Sequence, residues 1–161
     1  TVRSSDNGKT WTSPQVIYEG PNWEPYLLPL PDGNIHCYFT DSTPETWNSG
    51  VSVMTSSDNG HTWSAKKRVC RSYKYEYDKE TTREKSIYTD QMPSFRVLND
   101  GKTLMGFLEA RLANPPSNSG KTYHRMSVVY NDGLDWKDLA EHSEGPADSQ
   151  TYILGEAAGY G

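Results

Sequence analysis

Residues 4–11 read Ser-Ser-Asp-Asn-Gly-Lys-Thr-Trp, and residues 56–63 read Ser-Ser-Asp-Asn-Gly-His-Thr-Trp. Seven of the eight positions are identical, and Asp6 and Asp58 stand 52 residues apart. Self-similarity at such a period marks a fold of repeated units, each burying its apolar face against the next. A weaker third copy runs from Val129 to Trp136 and keeps the Gly and Trp positions. The residue types suit a tight turn. The Asp can accept backbone N–H bonds inside it, the Gly permits positive φ, and the Trp can cover the gap between strands. A calcium loop would need more alternating oxygen ligands and a closing Glu.

A second repeat is interleaved with the first. Pro25 is followed seven residues later by Asp32-Gly33, and Pro93 seven residues later by Asp100-Gly101, an offset of 68 between the two prolines. Each Asp-Gly lies between two apolar-rich runs: Tyr26–Leu30 with Ile35–Phe39, and Phe95–Leu98 with Thr103–Leu108. Asp-Gly in that setting is a strong hairpin signal. Third strands are expected at 51–55 and 125–130, and fourth strands at 15–19 and 66–70. No stretch of useful length has helical period. Four antiparallel strands in each unit is the pattern of a β-propeller blade, so the chain reads as all-β.

Composition narrows the function. The length of 161 residues suits one domain. Hydrophobic residues make up only 34%, but aromatics reach 12%, which is enough to build a core. No apolar run approaches the roughly 20 residues of a membrane helix. A net charge of -5 argues against a nucleic-acid or anionic-membrane partner. Two cysteines are too few for a disulfide framework, and no Cys/His spacing fits zinc. No cofactor is called for. Residue 1 is Thr, and the last residues, 155–161, suggest no element on which to finish, so the chain reads as a fragment.

Blade topology sorts the loops. The Asp-Gly turns and the octapeptide turns share one face, the bottom. The starts of first strands and the ends of second strands share the top, around the central funnel. Four acidic side chains are expected there: Glu24 and Asp90 at the starts of first strands, Asp41 and Glu109 at the ends of the matching second strands. Adding the offset of 68 to Asp41 gives Glu109. Carboxylates around a funnel are what glycoside hydrolysis needs, one to protonate the leaving oxygen and one to attack or to activate water. Crowding also raises one pKa, which keeps an acid protonated near neutrality.

The octapeptide Ser-x-Asp-x-Gly-x-Thr-Trp resembles the Asp-box of the sialidase (neuraminidase, BNR-repeat) superfamily. The resemblance implies a six-bladed propeller, of which about half is present. Residues 1–20 would end one blade, 21–72 form a full blade, 73–87 cross over, 88–154 form the next blade and 155–161 begin a further one. Two stretches, Trp23-Glu24-Pro25-Tyr26 and Asp90-Gln91-Met92-Pro93 followed by Phe107-Leu108-Glu109, resemble the exo-arabinanase branch and related bacterial BNR-repeat glycoside hydrolases. By that resemblance Glu24 is the general acid/base and Glu109 the nucleophile. Gln91 departs from the Gly that those relatives carry. The arginine and Tyr-Glu signatures of true sialidases are absent from this sequence.

The resulting expectation is an exo-acting glycoside hydrolase that cleaves a terminal sugar, sialic acid or arabinose-type, by a retaining mechanism. Glu24 and Glu109 would be catalytic, with Trp23, Asp41, Asp90 and Arg111 contacting substrate. Its partner would be an oligosaccharide or glycoconjugate, and the resemblance implies a secreted or periplasmic protein. Tyr73, Tyr75 and Tyr77 lie in the crossover as candidate sugar platforms, although such a stretch also reads as a solvated loop. The alternative is a non-catalytic BNR-repeat propeller that binds glycan or protein. The sequence leaves the oligomeric state open.

Overall fold

The computed structural model describes residues 1–43, 48–71, 75–78, 83–86, 88–112, 123–136 and 151–157. Strands β1 (Asn22–Pro29), β2 (Ile35–Thr43), β3 (Asn48–Ser56) and β4 (Lys67–Arg71) form one antiparallel sheet in that order. A two-stranded hairpin follows, β5 (Tyr75–Asp78) with β6 (Arg83–Ser86). Strands β7 (Tyr88–Val97), β8 (Leu104–Leu112), β9 (Tyr123–Asn131) and β10 (Thr151–Ala157) then form a second antiparallel sheet, neighbours again in chain order. No helix occurs among the described residues. Each four-stranded meander is a propeller blade, as the interleaved repeats require.

Two details differ from the sequence reading. Residues 15–19 pair with no strand. Gln15 exchanges backbone hydrogen bonds with Thr1, its N–H donating at 2.8 Å and its carbonyl accepting from the N-terminal ammonium, and one such pair does not make a ladder. The last strand of the second blade runs to Ala157, past the expected boundary at 154.

The octapeptides fold alike. Asp6 Oδ1 accepts the Ser4 hydroxyl at 2.8 Å and the Thr10 N–H at 2.9 Å, while Oδ2 accepts the Thr10 hydroxyl at 2.7 Å. Asp58 repeats the pattern with Ser56 at 2.8 Å and with the Thr62 N–H and hydroxyl at 2.8 and 2.6 Å. Gly8 and Gly60 take φ of 82° and 79°, and each donates its N–H to the leading serine at 2.8 Å. The two turns touch. The Arg3 guanidinium donates to the Gly60 carbonyl, and Gln15 Nε2 donates to the His61 carbonyl at 3.0 Å. In the third copy, Asn131 stands at the Asp position, and its amide donates to the carbonyls of Gly133 and Asp135 at 2.7 and 3.0 Å.

The core lies between the blades. Tyr26, Leu28, Leu30, Tyr38, Val51, Val53 and Val69 of the first pack against Phe95, Val97, Leu104, Leu108, Val129, Leu134 and Trp136 of the second. At its centre the Tyr38 ring stacks on Phe95, with centroids 3.8 Å apart and planes 7° from parallel. Trp136 meets Phe95 edge-on at 5.8 Å and donates its indole N–H to the Tyr38 hydroxyl at 2.9 Å. That hydroxyl lies 2.9 Å from His36 Nδ1, within hydrogen-bond distance. Burial lowers the His36 pKa below its ordinary value, although Asp32 and Asp135 pull the other way. The smaller cluster of Cys37, Phe39 and Met54 lies on the opposite face, packed by Ile17, Tyr18 and Trp63.

Two stability predictions follow from these contacts. Gly106 lies under the Phe95 ring, and a Cβ there would fall inside the ring's van der Waals surface. Gly106→Ala is expected to cost about 1–3 kcal/mol by forcing Phe95 off Tyr38, measured by denaturant unfolding. The second concerns acid. The Thr10 hydroxyl and N–H hold Asp6 down from 3.8 to about 2, Thr103 does the same for Asp100, and Thr62 lowers Asp58. A carboxylate depressed in the folded state stabilises it above the unfolded pKa and loses that effect as pH falls through the folded one. Tm should therefore drop between about pH 4 and pH 2, and Asp58→Asn should flatten that part of a calorimetric pH series.

Candidate functional site

Two matching irregularities mark the top of the blades. In β1 the register passes from Trp23↔Thr40 to Tyr26↔Tyr38, so Glu24 and Pro25 together face Phe39. In β7 it passes from Gln91↔Glu109 to Ser94↔Phe107, so Met92 and Pro93 face Leu108. Both are β-bulges, which re-aim side chains and bend the strand. Proline has no N–H for the ladder, which makes a bulge its natural place within a sheet. Glu24 and Met92 adopt φ of 58° and 54°. Left-handed backbone costs a non-glycine residue about 1 kcal/mol or more, so packing imposes this conformation in both blades.

The bulges meet across the blade interface. Glu24 is half-buried, and its Oε2 accepts the Thr40 hydroxyl at 2.8 Å and the Met92 N–H at 2.8 Å. The Met92 N–H also reaches Thr40 Oγ1 at 3.0 Å. Next along β7, Gln91 Nε2 donates to Glu109 Oε2 at 3.0 Å. Glu109 is half-buried at the facing position of β8. Glu24 and Glu109 therefore flank the Gln91–Met92 peptide from two different blades. Trp23, 42% exposed, stands beside Glu24, and Met92, 53% exposed, completes the rim.

The register corrects one piece of the sequence arithmetic. Glu109 faces Gln91 as Thr40 faces Trp23, so its counterpart is Thr40, while Asp41 corresponds to Ala110. The second Asp-Gly turn is one residue longer: Pro29 pairs with Ile35, but Val97 pairs with Leu104. An offset of 68 in the first strands thus becomes 69 in the second.

Asp41 does not stand at an open rim. Its side chain has no exposed surface. Oδ1 accepts the Ser52 hydroxyl at 2.7 Å and lies 3.0 Å from the Arg68 guanidinium, and Oδ2 is paired with Lys66. The Lys66 ammonium also donates to the Tyr18 hydroxyl at 3.0 Å. Three groups, from Ser52, Lys66 and Arg68, occupy this carboxylate and leave no face of it for a ligand. Asp90 faces Ala110 and Arg111 faces Thr89 in the β7–β8 ladder, which places both toward the same end as Glu109. Their side chains lie outside the described residues, as do Tyr73 and the side chains of Tyr75 and Tyr77. Among the described residues no group of three or more His, Cys, Asp or Glu could hold a metal ion. Among the described residues no helix is long and apolar enough to cross a membrane.

Sequence reasoning missed Thr40, the Met92 N–H and Gln91 as partners of the two glutamates. Thr40 reads as an ordinary β-branched strand residue, and a backbone N–H leaves no trace in composition. The one available signal was the pair of X-Pro steps at matching positions, which marks the bulges.

The model of the BNR repeat-like domain family matches residues 1–90. The chain belongs to the BNR repeat-like domain family. None of the curated protein sequences matches it. Among solved structures, this BNR repeat-like chain is similar to the alpha-L-arabinofuranosidase Arb93A of Fusarium graminearum, solved in complex with an iminosugar inhibitor. The TM-score is 0.60 at 17% identity, over 94% of this chain and 39% of that one. This chain thus spans about two fifths of the length of that protein, and the likeness is one of fold: a sialidase-like β-propeller. Within it, the BNR repeat-like chain supplies the two blades that present Glu24 and Glu109.

The structural place of Asp41 has a measurable consequence. Asp41→Ala leaves Lys66 and Arg68 without their counter-ion, and breaking a buried pair costs about 3 kcal/mol or more. Both cations reach solvent, which puts the expected loss at the low end of that range. Denaturant unfolding would check it.

Proposed function

We propose that this chain belongs to an exo-acting glycoside hydrolase that removes a terminal sugar through Glu24 and Glu109, with retention of configuration. The observation that carries this reading is that Glu24 accepts the Met92 N–H while Glu109 accepts the side-chain amide of the adjacent Gln91, beside an exposed tryptophan. A retaining pair stands roughly 5–5.5 Å apart and works in two steps. In the first, Glu109 attacks the anomeric carbon while Glu24 gives its proton to the leaving oxygen. In the second, Glu24 takes a proton from water, the water oxygen bonds to the anomeric carbon, and Glu109 is released. Trp23 offers a face on which a sugar ring can stack. Asp90 and Arg111, at the same end of the β7–β8 ladder, are the further substrate-contact residues of this reading. The fold shared with an arabinofuranosidase favours an arabinose-type sugar over sialic acid.

A second reading has an observation of its own. Oε2 of Glu24 is already engaged by the neighbouring blade, as it would be in a propeller that binds glycan without cleaving it. Assays of the full-length protein on arabinosyl and sialyl oligosaccharides separate the two. Glu24→Gln and Glu109→Gln are each expected to lower sugar release by on the order of 10²-fold or more, as loss of an acid–base group does. A folded parent that binds these oligosaccharides and releases nothing would favour the binding propeller.

A further inference from the structure

The bulges do more than aim two glutamates at one rim. Met92 occupies in β7 the position that Glu24 occupies in β1, and Thr40 occupies in β2 the position that Glu109 occupies in β8. Two equivalent left-handed residues thus meet across the interface, one offering a side-chain oxygen and the other a backbone N–H. The bulge frees that N–H, because Met92 is the extra residue of β7 and has no partner in the β8 register. Thr40 closes the triangle: its hydroxyl donates to Glu24 Oε2 and accepts from the Met92 N–H. Thr40 has no exposed surface, so water does not compete for either bond. Both donors fall on Oε2, and among the described residues none is recorded on Oε1.

We infer that Thr40 is a positioning residue for Glu24: its hydroxyl, with the Met92 N–H of the neighbouring blade, fixes Oε2 and presents Oε1 to the sugar. This rests on the reading of Glu24 as a catalytic carboxylate. A second consequence is that Glu24 is set only when the two blades are docked, since one of its two donors comes from each.

The test compares Thr40→Val, Thr40→Ser and Glu24→Gln in the full-length protein, with linear arabino-oligosaccharides as the probe. Thr40→Val keeps the shape and removes the hydroxyl. It is expected to lower kcat about tenfold or more with KM within about twofold, since misplacing a reacting group by a fraction of an ångström acts on the chemical step. Thr40→Ser restores the hydroxyl and should restore kcat. A packing role alone would lower Tm and leave kcat of the folded variant unchanged. If Thr40→Val yields no folded protein, Thr40→Cys repeats the comparison with a poorer donor of similar size. An inactive Glu24→Gln beside a Thr40→Val of unchanged kcat overturns the positioning role and leaves the carboxylate pair standing. A fully active Glu24→Gln overturns both.

Discussion

The stack of Tyr38 on Phe95, capped by Trp136, holds the two blades at one fixed separation. Each blade is a sheet with an apolar face that cannot stay in water, and these three aromatic rings supply much of what buries it. Their geometry is directional as well as apolar. The parallel rings fix the distance, and the indole N–H on the Tyr38 hydroxyl fixes the angle. Gly106 makes this possible, because any side chain there would occupy the space of the Phe95 ring. At the top of the same interface, Glu24 meets the Met92 N–H at 2.8 Å. A hydrogen bond of that length tolerates little sliding, so the site inherits its precision from the aromatic seam beneath it.

The acidic residues divide by what their oxygens touch. Asp6, Asp58 and Asp100 each close a turn with hydroxyl and N–H donors from residues three or four further on. Asp41 is consumed by Ser52, Lys66 and Arg68, and joins β2, β3 and β4. Glu24 and Glu109 differ in keeping partial exposure while being held across strands. Environment separates structural from candidate catalytic carboxylates here, as it does wherever two acids of one kind serve different ends. The left-handed backbone at Glu24 and Met92 belongs to the same picture. Strain of that kind persists only where surrounding contacts impose it, and it gathers at functional sites.

Much of this was legible in the sequence. The octapeptides gave the repeat, the Asp-Gly turns gave the hairpins, and the X-Pro steps marked where first strands begin. These signals are local: a turn is decided by the φ its residues accept and by donors within a few positions. Glu24 and Glu109 could be named because strand ends follow from turn positions by counting along a ladder. The count failed at Asp41 because a single extra residue in the second turn shifts the return strand by one, and a slip of one changes which residues share a position and a face.

By itself, therefore, the sequence determined the all-β architecture, the blade order and the end of each blade on which its acids would fall. All of these follow from short-range backbone preferences and the two-residue period of strands. Only the tertiary structure decided which acids face solvent, which are neutralised within the sheet, and that Thr40 and the Met92 N–H hold Glu24. Those outcomes depend on register and on contacts between residues as far apart as Glu24 and Met92. Such contacts come from packing one blade on another, which no local pattern encodes.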